Sequence, residues 1–454
     1  MNLERLAAAL EPVEVLGSAD VEVRDLCYDA RAVSPGALFF CVPGTRADGH
    51  DFAADAVAGG AVALVVERRL DVAVPQIVVA DARAAMAPAA DVFFGEPTKE
   101  LEVVGVTGTS GKTTTSFLLF AILAAARQRP GLIGTIEARV GGERRGVVRT
   151  TPEAIDLQRT FREMLDAGDR SCVMEASSHA SALHRLDRVR FRVLVFTNLS
   201  QDHLDFHGDM ETYFQAKRRL FLAEPRPLAV LNVGDEYGRR IAEELPDAIT
   251  FDATDAAALA GIELRLRGRF NVANALGAVL AARTLGCDDD AIRRGLESVR
   301  GVPGRFESVD AGQPFHVIVD YAHKPDALEN VLRASRELAN GNRVIVVVGA
   351  GGDRDRGKRP LMGKLAAELA DVAIVTSDNP RSEDPEAIVA EIVAGADGPV
   401  EVELDRAQAI ARAVGLALPG DVVLIAGKGA EQGQEFADRT VPFDDREAAK
   451  EALG

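Results

Sequence analysis

The sequence predicts an α/β protein of three domains built around mostly parallel sheets. Its 454 residues suggest about three compact units, at roughly 100 to 200 residues per domain. Short apolar strands alternate with helical stretches, a pattern typical of parallel sheets covered by helices. One strand leads directly into a glycine-rich loop and a helix. We expect domains at residues 1–100, 101–302 and 303–454.

Each domain is predicted from its own run of strands and turns. The first mixes short apolar strands with turn signals such as Pro35-Gly36 and Gly59-Gly60. The second and third alternate buried strands with helical stretches, so each is predicted to contain a mostly parallel sheet. The predicted strands are residues 63–67 and 76–79 in the first domain, 102–107, 171–175, 193–198 and 228–232 in the second, and 315–321, 343–349, 372–378 and 421–427 in the third.

Composition and charge exclude several classes of function. Hydrophobic residues make up 47% of the chain and charged residues 27%, which is ordinary for a folded globular protein. The formal net charge of -18 opposes a nucleic-acid surface, because phosphate backbones are bound by dense Lys and Arg. The longest apolar run, residues 117–126, is well short of the ~20 residues needed to span a bilayer. The acidic Glu4 is unlike a basic signal region, so we expect a cytoplasmic protein without membrane insertion.

The four cysteines, Cys27, Cys41, Cys172 and Cys287, are scattered along the chain. They lack the paired spacing of metal ligands. We therefore expect reduced thiols buried in the protein cores.

A phosphate-binding loop is the strongest local motif. The segment Gly105-Val-Thr-Gly-Thr-Ser-Gly-Lys-Thr113 follows an apolar strand and precedes the helical run 114–126. Its glycines allow a tight turn that directs backbone N–H groups at phosphates, and the helix N-terminus adds positive potential. Lys112 can reach the β- and γ-phosphates, and Thr113 can ligate magnesium. The strict pattern has Gly where Val106 stands, so this is a variant loop. GTPases, kinases and ATPases share such loops, which leaves the reaction open.

Polar side chains at the ends of two later strands are candidates for a metal site. Glu175 ends one buried strand, and open α/β sheets place ligands at the carboxyl ends of their strands. The loop after the next strand offers Asn198, Asp202, His203, Asp205 and His207. We expect one or two of these to touch metal, although each alone is equally consistent with a turn-forming Asp or a hydrogen-bonded His. Lys217 lies in a helical run, where a lysine is ordinarily exposed.

Read together, five motifs resemble those of the Mur ligases of peptidoglycan synthesis, and the resemblance runs nearly end to end. They are Thr107-Gly-Thr-Ser-Gly-Lys-Thr-Thr114, Glu175-Ala-Ser-Ser-His179, Thr197-Asn-Leu-Ser-Gln-Asp-His203, Asn271-Val-Ala-Asn274 and Asp320-Tyr-Ala-His323. Further motifs are similar to those of the family members that add diaminopimelate. They are Asp48-Gly-His50, Thr150-Thr-Pro-Glu153, Gly304-Arg-Phe-Glu307, Gly351-Gly-Asp-Arg-Asp-Arg-Gly-Lys-Arg359, Asp378-Asn-Pro-Arg-Ser-Glu-Asp-Pro385 and Pro442-Phe-Asp-Asp-Arg446.

The resemblance implies a ligase that activates a carboxylate as an acyl phosphate and couples it to an amine. It implies a UDP-binding N-terminal domain, a central ATPase and a C-terminal Rossmann-like domain that binds the incoming amino acid. ATP would be the co-substrate, with two Mg²⁺ ions, and the other partners would be a UDP-N-acetylmuramoyl dipeptide and meso-diaminopimelate. We expect a monomer. Lys217 stands where the family carries a lysine carbamylated by carbon dioxide, which makes it a carboxylate-like magnesium ligand.

Matching motif positions assign the candidate site residues. The resemblance implies that Lys112, Lys217 and His203 are catalytic, and that Thr113, Glu175, His203 and carbamylated Lys217 hold metal. The implied ATP contacts are Gly108, Thr109, Ser110, Gly111, Lys112, Thr113, Thr114, Asn274, Arg305 and Asp320. The implied UDP-muramyl-dipeptide contacts are Asp29, His50, Thr150, Thr151, Ser178 and Arg185. The implied contacts that select the amino acid are Arg354, Asp378, Asn379, Pro380, Arg381, Gly427 and Glu431.

The last of these sets predicts which amine is used. Diaminopimelate carries a distal amino-acid head, so Arg381 can pair with its carboxylate while Glu431 accepts from its ammonium. Lysine lacks that carboxylate and would leave the arginine without its partner. The chain departs from the family pattern at Ala430, where His is usual, and at Lys324, where many members have Thr. The alternatives are the same reaction with L-lysine or another amine, and a catalytically silent nucleotide-binding homologue.

Overall fold

The structure, a computed structural model, describes residues 1–44 and 47–454. Helices and strands alternate along most of the chain. Through residue 100 they are α1 (Leu3–Ala9), β1 (Glu14–Leu16), β2 (Asp25–Cys27), β3 (Ala37–Phe40), α2 (Ala53–Ala58), β4 (Ala63–Val66), β5 (Gln76–Val78) and α3 (Ala82–Phe93). Short 3₁₀ turns lie at Ala30–Ala32, Gly49–Phe52, Pro97–Lys99 and Ala257–Leu259.

The elements between residues 101 and 302 are β6 (Glu102–Thr107), α4 (Lys112–Ala125), β7 (Pro130–Ile133), β8 (Ala138–Val140), β9 (Glu143–Arg145), α5 (Ala154–Asp166), β10 (Ser171–Glu175), α6 (Ser178–Ala182), β11 (Phe191–Phe196), α7 (Leu204–His207), α8 (Met210–Phe221), β12 (Leu228–Asn232), α9 (Glu236–Glu244), β13 (Ile249–Phe251), α10 (Arg269–Thr284) and α11 (Asp289–Ser298). The rest of the chain contributes β14 (Glu307–Val309), β15 (His316–Asp320), α12 (Pro325–Ala339), β16 (Val344–Val348), α13 (Lys358–Leu369), β17 (Val372–Val375), α14 (Pro385–Val393), β18 (Glu401–Val402), α15 (Arg406–Leu416), β19 (Val422–Ala426), β20 (Gly433–Glu435), β21 (Thr440–Pro442) and α16 (Asp445–Leu453).

The chain forms two compact units, each assembled from several segments. The first comprises residues 1–107, 127–195 and 216–229, and the second comprises residues 108–126, 196–215 and 230–454. The predicted mixed α/β class with mostly parallel sheets is confirmed. The domain limits expected at residues 100 and 302 stay predictions.

In the first unit, the N-terminal sheet has the order β1-β5-β4-β3-β2 and is parallel except for β1. Because successive strand residues point to opposite faces, Leu38 and Phe40 join one buried cluster while Phe39 joins another. Further strands of this unit lie in the order β11-β6-β10-β7-β8-β9. Of these, β6, β10 and β7 are parallel and fully apolar in their centres, as expected for strands covered on both faces.

In the second unit, α10 and α11 pack on α4. Gly295 permits the close approach of α11, since a Cβ there would lie 2.5 Å from the Ile122 Cα. The C-terminal sheet has the order β14-β15-β19-β16-β17-β18, in which only β14 pairs antiparallel to its neighbour. Its strand β16 alternates between two cores: Val346 lies in one and Ile345 in the other.

A buried ion pair joins the helices and loops at the carboxyl edge of the C-terminal sheet. Arg406, at the start of α15, places its Nε and Nη2 each 2.7 Å from the carboxylate of Asp445, and neither side chain is exposed. The same guanidinium donates to the carbonyl of Ala426, at the end of β19, and to that of Ser377, beyond β17. It therefore fixes the positions of two strand ends as well as two helices.

All four cysteines are buried thiols, as predicted. Among the described residues, no helix combines the length and the apolar character that a membrane crossing requires.

Replacing Arg406 with Met should lower the free energy of unfolding by about 3 to 5 kcal/mol, because it leaves a buried carboxylate without its partner. The matched control is Arg412→Met on the same helix, where the pair with Glu401 is half exposed and should contribute less than about 1 kcal/mol. Urea unfolding followed by circular dichroism measures both changes. Equal losses in the two variants would contradict the prediction.

Candidate active site

The phosphate-binding loop of the second unit has the tight turn that its glycines predict. Gly108 and Gly111 have φ of +147° and +87°, which disfavour any residue with a side chain. A Cβ at Gly108 would collide with the Thr197 hydroxyl, and one at Gly111 with the Asn274 amide oxygen. Only glycine fits these two positions without displacing a neighbour.

Hydrogen bonds tie this loop to the segment that follows β11. The Ser110 N–H donates to Asn198 Oδ1 at 2.9 Å, and its carbonyl accepts from Thr197 Oγ1 at 2.7 Å. The Thr109 hydroxyl lies 3.0 Å from the Tyr213 hydroxyl. The loop is thus held in shape by side chains as well as by its own backbone.

Lys112 begins α4 and lies against the loop. Its Nζ donates to the carbonyls of Gly108 and Thr109 at 3.0 and 2.9 Å. The next two residues, Thr113 and Thr114, are buried in the first turn of the helix. An ammonium at this point lies beside the N–H groups of a helix N-terminus, a combination that binds phosphates.

Three further predicted nucleotide contacts lie in the second unit: Asn274, Arg305 and Asp320. Asn274 accepts from the Thr115 hydroxyl at 3.4 Å. Arg305 donates to Thr113 Oγ1 at 3.1 Å, and its guanidinium carbon lies 4.4 Å from the centre of the Tyr321 ring. The loop and the segment around Arg305 therefore meet at the residue predicted to ligate magnesium.

Asp320, at the end of β15, is a buried carboxyl group. It accepts from the backbone N–H groups of Phe306 and Ala322 at 2.6 and 2.7 Å. Burial raises its pKa to about 6, against the opposing charge of Arg305. Hydrogen bonds from two N–H groups hold this side chain in one orientation.

His203 lies in a charged cluster that the sequence did not predict. Its Nε2 and the Nζ of Lys324 each lie 2.8 Å from Asp202 Oδ2. Burial opposes the ionisation of Asp202, but the charge of Lys324 and the hydrogen bond from His203 outweigh it and hold the pKa of Asp202 well below its ordinary value. Burial also lowers the pKa of His203, which favours the neutral imidazole that a metal ligand must be.

In the first unit, Glu175 is almost fully buried at the end of β10. Its two carboxylate oxygens accept from the Thr135 N–H and hydroxyl at 2.8 and 3.0 Å. The Thr135 hydroxyl also lies 3.0 Å from that of Thr150, and Thr151 donates to the Glu175 carbonyl at 2.7 Å. Ser178 is buried at the start of α6. The structure brings Thr150 and Thr151 to Glu175, and Thr135 is a member of this group that the motifs did not reveal.

Arg185 shares one buried carboxylate with two other arginines. Glu153 accepts from Arg149 and Arg185 through one oxygen, at 2.8 and 2.9 Å, and from Arg83 through the other, at 3.3 Å. Arg185 also donates to the Thr151 carbonyl. Three guanidinium groups around one carboxylate make this a local positive region of the first unit.

Asp29 and His50 have structural contacts within the N-terminal sheet region. Asp29 accepts from Arg31, through both the backbone and the guanidinium. His50 has no exposed side-chain surface: its Nδ1 lies 2.6 Å from Asp48, and its Nε2 accepts from the Glu67 N–H. Substrate contact by either residue stays a prediction.

Lys217 is 1% exposed, so the expectation that a helical lysine is exposed is wrong here. Taking an ammonium out of water is costly, whereas a carbamate at this position would be an acidic ligand. Among the described residues, no group of three or more His, Cys, Asp or Glu side chains is arranged to hold a metal ion. The predicted metal set instead includes the Thr113 hydroxyl and a modified lysine.

The predicted amino-acid pocket in the second unit contains two acidic side chains around a buried lysine. Lys428 is fully buried, and its Nζ donates to Asn379 Oδ1 at 2.7 Å and lies 3.2 Å from Glu431. Asn379 donates to the same Glu431 oxygen at 2.9 Å. Gly427 has φ of +127°, and a Cβ there would lie 2.5 Å from Asp378 Oδ2. The structure therefore brings Asp378, Asn379 and Glu431 together, with Lys428 as the member that the sequence missed.

Arg381 and Arg354 both lie close to Gly351. A Cβ at that glycine would lie 2.9 Å from Arg381 Nη1 and 3.9 Å from Arg354 Cγ. Arg381 pairs with Glu435 through Nε at 2.9 Å and donates from Nη1 to the Gly352 carbonyl at 2.7 Å. Its φ of +52° is unusual for a residue with a side chain. A Cβ at Gly352 would collide with the Pro380 carbonyl, so glycines enclose this turn.

Three family models match the chain. The Mur ligase family, catalytic domain matches residues 22–96, the Mur ligase middle domain matches residues 106–261, and the Mur ligase, glutamate ligase domain matches residues 304–429. A relative from Solibacter usitatus is 46% identical over 100% of this chain and 98% of its own length. The chain belongs to the Mur ligase family. It is therefore an ATP-dependent ligase that forms an amide bond.

Three of the similar proteins carry the same name. The Solibacter usitatus relative is a UDP-N-acetylmuramoyl-L-alanyl-D-glutamate–2,6-diaminopimelate ligase, and so is a Streptomyces coelicolor relative that is 45% identical over 99% of this chain and 96% of its own. A solved structure of a ligase of that name has a TM-score of 0.68 at 30% identity and covers 100% of this chain and 98% of its own. The MurF ligase of Thermotoga maritima in complex with ADP shares the fold, with a TM-score of 0.63 at 20% identity over 95% and 97% of the two chains.

The raised pKa of Asp320 predicts how the stability of this Mur ligase depends on pH. The ordinary pKa is 3.8 and the folded value is about 6, so between these values the folded state holds a proton that the unfolded chain has lost. The contribution of Asp320 to the free energy of unfolding should therefore fall by about 3 kcal/mol in all as pH rises from about 3 to about 7, with most of the loss between pH 4 and pH 6.

Asp320→Asn, which does not titrate, is the reference variant for this measurement. The free energy of unfolding of the wild type minus that of the variant should decrease between pH 4 and pH 6 in urea titrations. A difference that is flat or increases over that range would show that Asp320 has no raised pKa.

Proposed function

We propose that this Mur ligase joins the amine of meso-diaminopimelate to the γ-carboxylate of D-glutamate in UDP-N-acetylmuramoyl-L-Ala-D-Glu, and converts ATP to ADP and phosphate. The observation that carries the proposal is the charge pattern of the amino-acid pocket. Asp378 and Glu431 supply carboxylates for an ammonium, and Arg354 and Arg381 supply guanidinium groups for a carboxylate. The names of the relatives support the same substrates.

The first step is the activation of a carboxylate, which by itself is too poor an acyl donor to react with an amine. A carboxylate oxygen of D-glutamate attacks the γ-phosphorus, and the bond to the β-phosphate oxygen breaks, giving an acyl phosphate and ADP. Lys112 and the loop N–H groups stabilise the negative charge of the transferring group. Arg305 and Asn274 hold the nucleotide, and Asp320 accepts from its ribose.

In the second step an uncharged amine of the amino acid attacks the acyl carbon, the tetrahedral intermediate collapses as the bond to the phosphate oxygen breaks, and the proton lost by the amine leaves with the phosphate. Glu431 and Asp378 orient the incoming amino acid through its ammonium. Arg381, whose Nη2 is not used in a hydrogen bond with the described residues, pairs with a carboxylate of the amino acid. This step needs no covalent bond to the enzyme.

The predicted donors fit magnesium in their chemistry. A threonine hydroxyl, a glutamate and a carbamate are hard oxygen ligands of the kind that Mg²⁺ takes, and the lowered pKa of His203 favours a neutral nitrogen donor. Thr113, Glu175, His203 and carbamylated Lys217 would hold the ions. When bound, Mg²⁺ stabilises the charge that develops on the phosphoryl oxygens.

We assign the three ligands to the three expected domains. Residues 1–100 and the group around Thr151, Ser178 and Arg185 bind the UDP-muramyl dipeptide, residues 101–302 bind ATP, and residues 303–454 bind the amino acid. The positive region around Arg185 supports the first assignment, because the dipeptide substrate is anionic. We further propose that the chain acts as a monomer.

The amine preference can be measured by phosphate release from the purified protein with ATP, Mg²⁺ and UDP-N-acetylmuramoyl-L-Ala-D-Glu. Release should depend on meso-diaminopimelate, and it should be at background with L-lysine and with no amine. The control is Lys112→Met, which should release no phosphate with any amine. A preference for lysine would show that lysine is the amine substrate. If the wild type released no phosphate with any amine, a catalytically silent nucleotide-binding homologue would be favoured.

Arg381→Met tests the carboxylate contact. Removing a charge-assisted pair should raise the KM for meso-diaminopimelate by about 10- to 100-fold and should leave the KM for ATP within about threefold of the wild-type value. The matched control is Arg439→Met, an exposed arginine in the turn that joins β20 to β21, which should change neither constant. Parallel increases in both KM values would indicate a general loss of structure instead.

A further inference from the structure

Lys324 brings a second ammonium group to the phosphate-binding loop. It stands at the N-cap of α12, and its side chain is 9% exposed. Its Nζ lies 3.5 Å from the carbonyl oxygen of Thr109, and Lys112 donates to the same oxygen at 2.9 Å. Two lysines that are far apart in sequence thus converge on one atom of the loop.

The position of Lys324 is set by a carboxylate beside the loop. Asp202 Oδ2 lies 2.8 Å from its Nζ, and the Asp202 side chain is itself only 11% exposed. A buried lysine with a fixed partner has lost most of its rotamer freedom before any ligand binds, which reduces the entropic cost of a further contact. Lys324 is therefore held beside the loop before any ligand binds.

We propose that Lys324 binds the γ-phosphate of ATP and is a second cation, beside Lys112, that stabilises the transferring phosphoryl group. A loop lysine such as Lys112 reaches the β- and γ-phosphates. In loops of this kind the backbone N–H groups enclose the β-phosphate, so a lysine outside the loop is placed to contact the terminal phosphate. The proposal rests on the ATP-dependent reaction proposed above and adds a residue to it.

A purely structural role predicts a different pattern of nucleotide affinity. If Lys324 only held the start of α12 against Asp202, its loss would weaken the binding of every nucleotide to a similar extent. A γ-phosphate contact affects ATP but not ADP, because ADP lacks the group that Lys324 would bind. The ratio of the two affinities therefore separates the roles.

The experiment measures the binding of ADP and of a non-hydrolysable ATP analogue to the full chain by isothermal calorimetry in the presence of Mg²⁺. Lys324→Met should weaken the binding of the analogue by about 10- to 100-fold and the binding of ADP by less than about threefold. Lys324→Arg, which keeps the charge, should recover most of the loss. Retained ADP binding also shows that each variant is folded.

The matched control is Lys358→Met. Lys358 is equally buried, and its Nζ donates to the His323 carbonyl at 2.9 Å, so its loss should not change the ratio of the two affinities. The proposal would be overturned if Lys324→Met weakened the binding of both nucleotides equally. It would also be overturned if Lys358→Met caused the same selective loss of affinity for the ATP analogue. Failure of the wild type to bind either nucleotide would instead contradict the ATP-dependent function itself.

Discussion

The hydrogen bonds between the phosphate-binding loop and the segment after β11 are the constraint on which the nucleotide site depends. Thr197 donates a hydrogen bond to the carbonyl of Ser110, and Asn198 accepts one from the N–H of the same residue. The Thr197 hydroxyl also fills the space where a side chain at residue 108 would lie, so Gly108 and this segment are packed against each other. The carbonyl of Thr109, on which Lys112 and Lys324 converge, is placed by this interaction.

A second constraint operates at the carboxyl edge of the C-terminal sheet, where charge is buried without access to water. Arg406 donates to the Ala426 and Ser377 carbonyls, and these residues directly precede Gly427 and Asp378 of the predicted amino-acid pocket. Burying such a pair is costly, and it is tolerated only when the remaining hydrogen-bonding groups are satisfied. The pair with Asp445 therefore ties the geometry of the pocket to the packing of α15 and α16.

The sequence predicted the fold well because the strands are buried on both faces and form short apolar runs. The strand predicted at residues 171–175 is β10 (Ser171–Glu175), and the one at 315–321 contains β15 (His316–Asp320). The loop was predictable because its chemistry is local: glycines, a lysine and a threonine act within nine residues.

What the sequence could not predict are side chains whose partners are distant along the chain. Lys428 contacts Asn379, and Arg83 contacts Glu153, across separations of 49 and 70 residues. No periodicity or spacing signals such pairs. Spacing alone could not predict the burial of Lys217 for a related reason, since the helix was predicted but the packing of its face was not. It was the resemblance to the family that singled this lysine out.

The contacts of Lys428 also explain how the pocket tolerates Ala430, where the family pattern has histidine. Glu431 is held by Lys428 and Asn379, and neither contact involves the side chain of residue 430. The backbone at this point is fixed from the other side: Gly304, with φ of +63°, packs so closely on the Ala430 N–H that a Cβ there would collide with it. Because both the side chain of Glu431 and the backbone before it are placed by other residues, an imidazole at residue 430 is not required to orient the acidic group that we propose binds an ammonium of the amino acid.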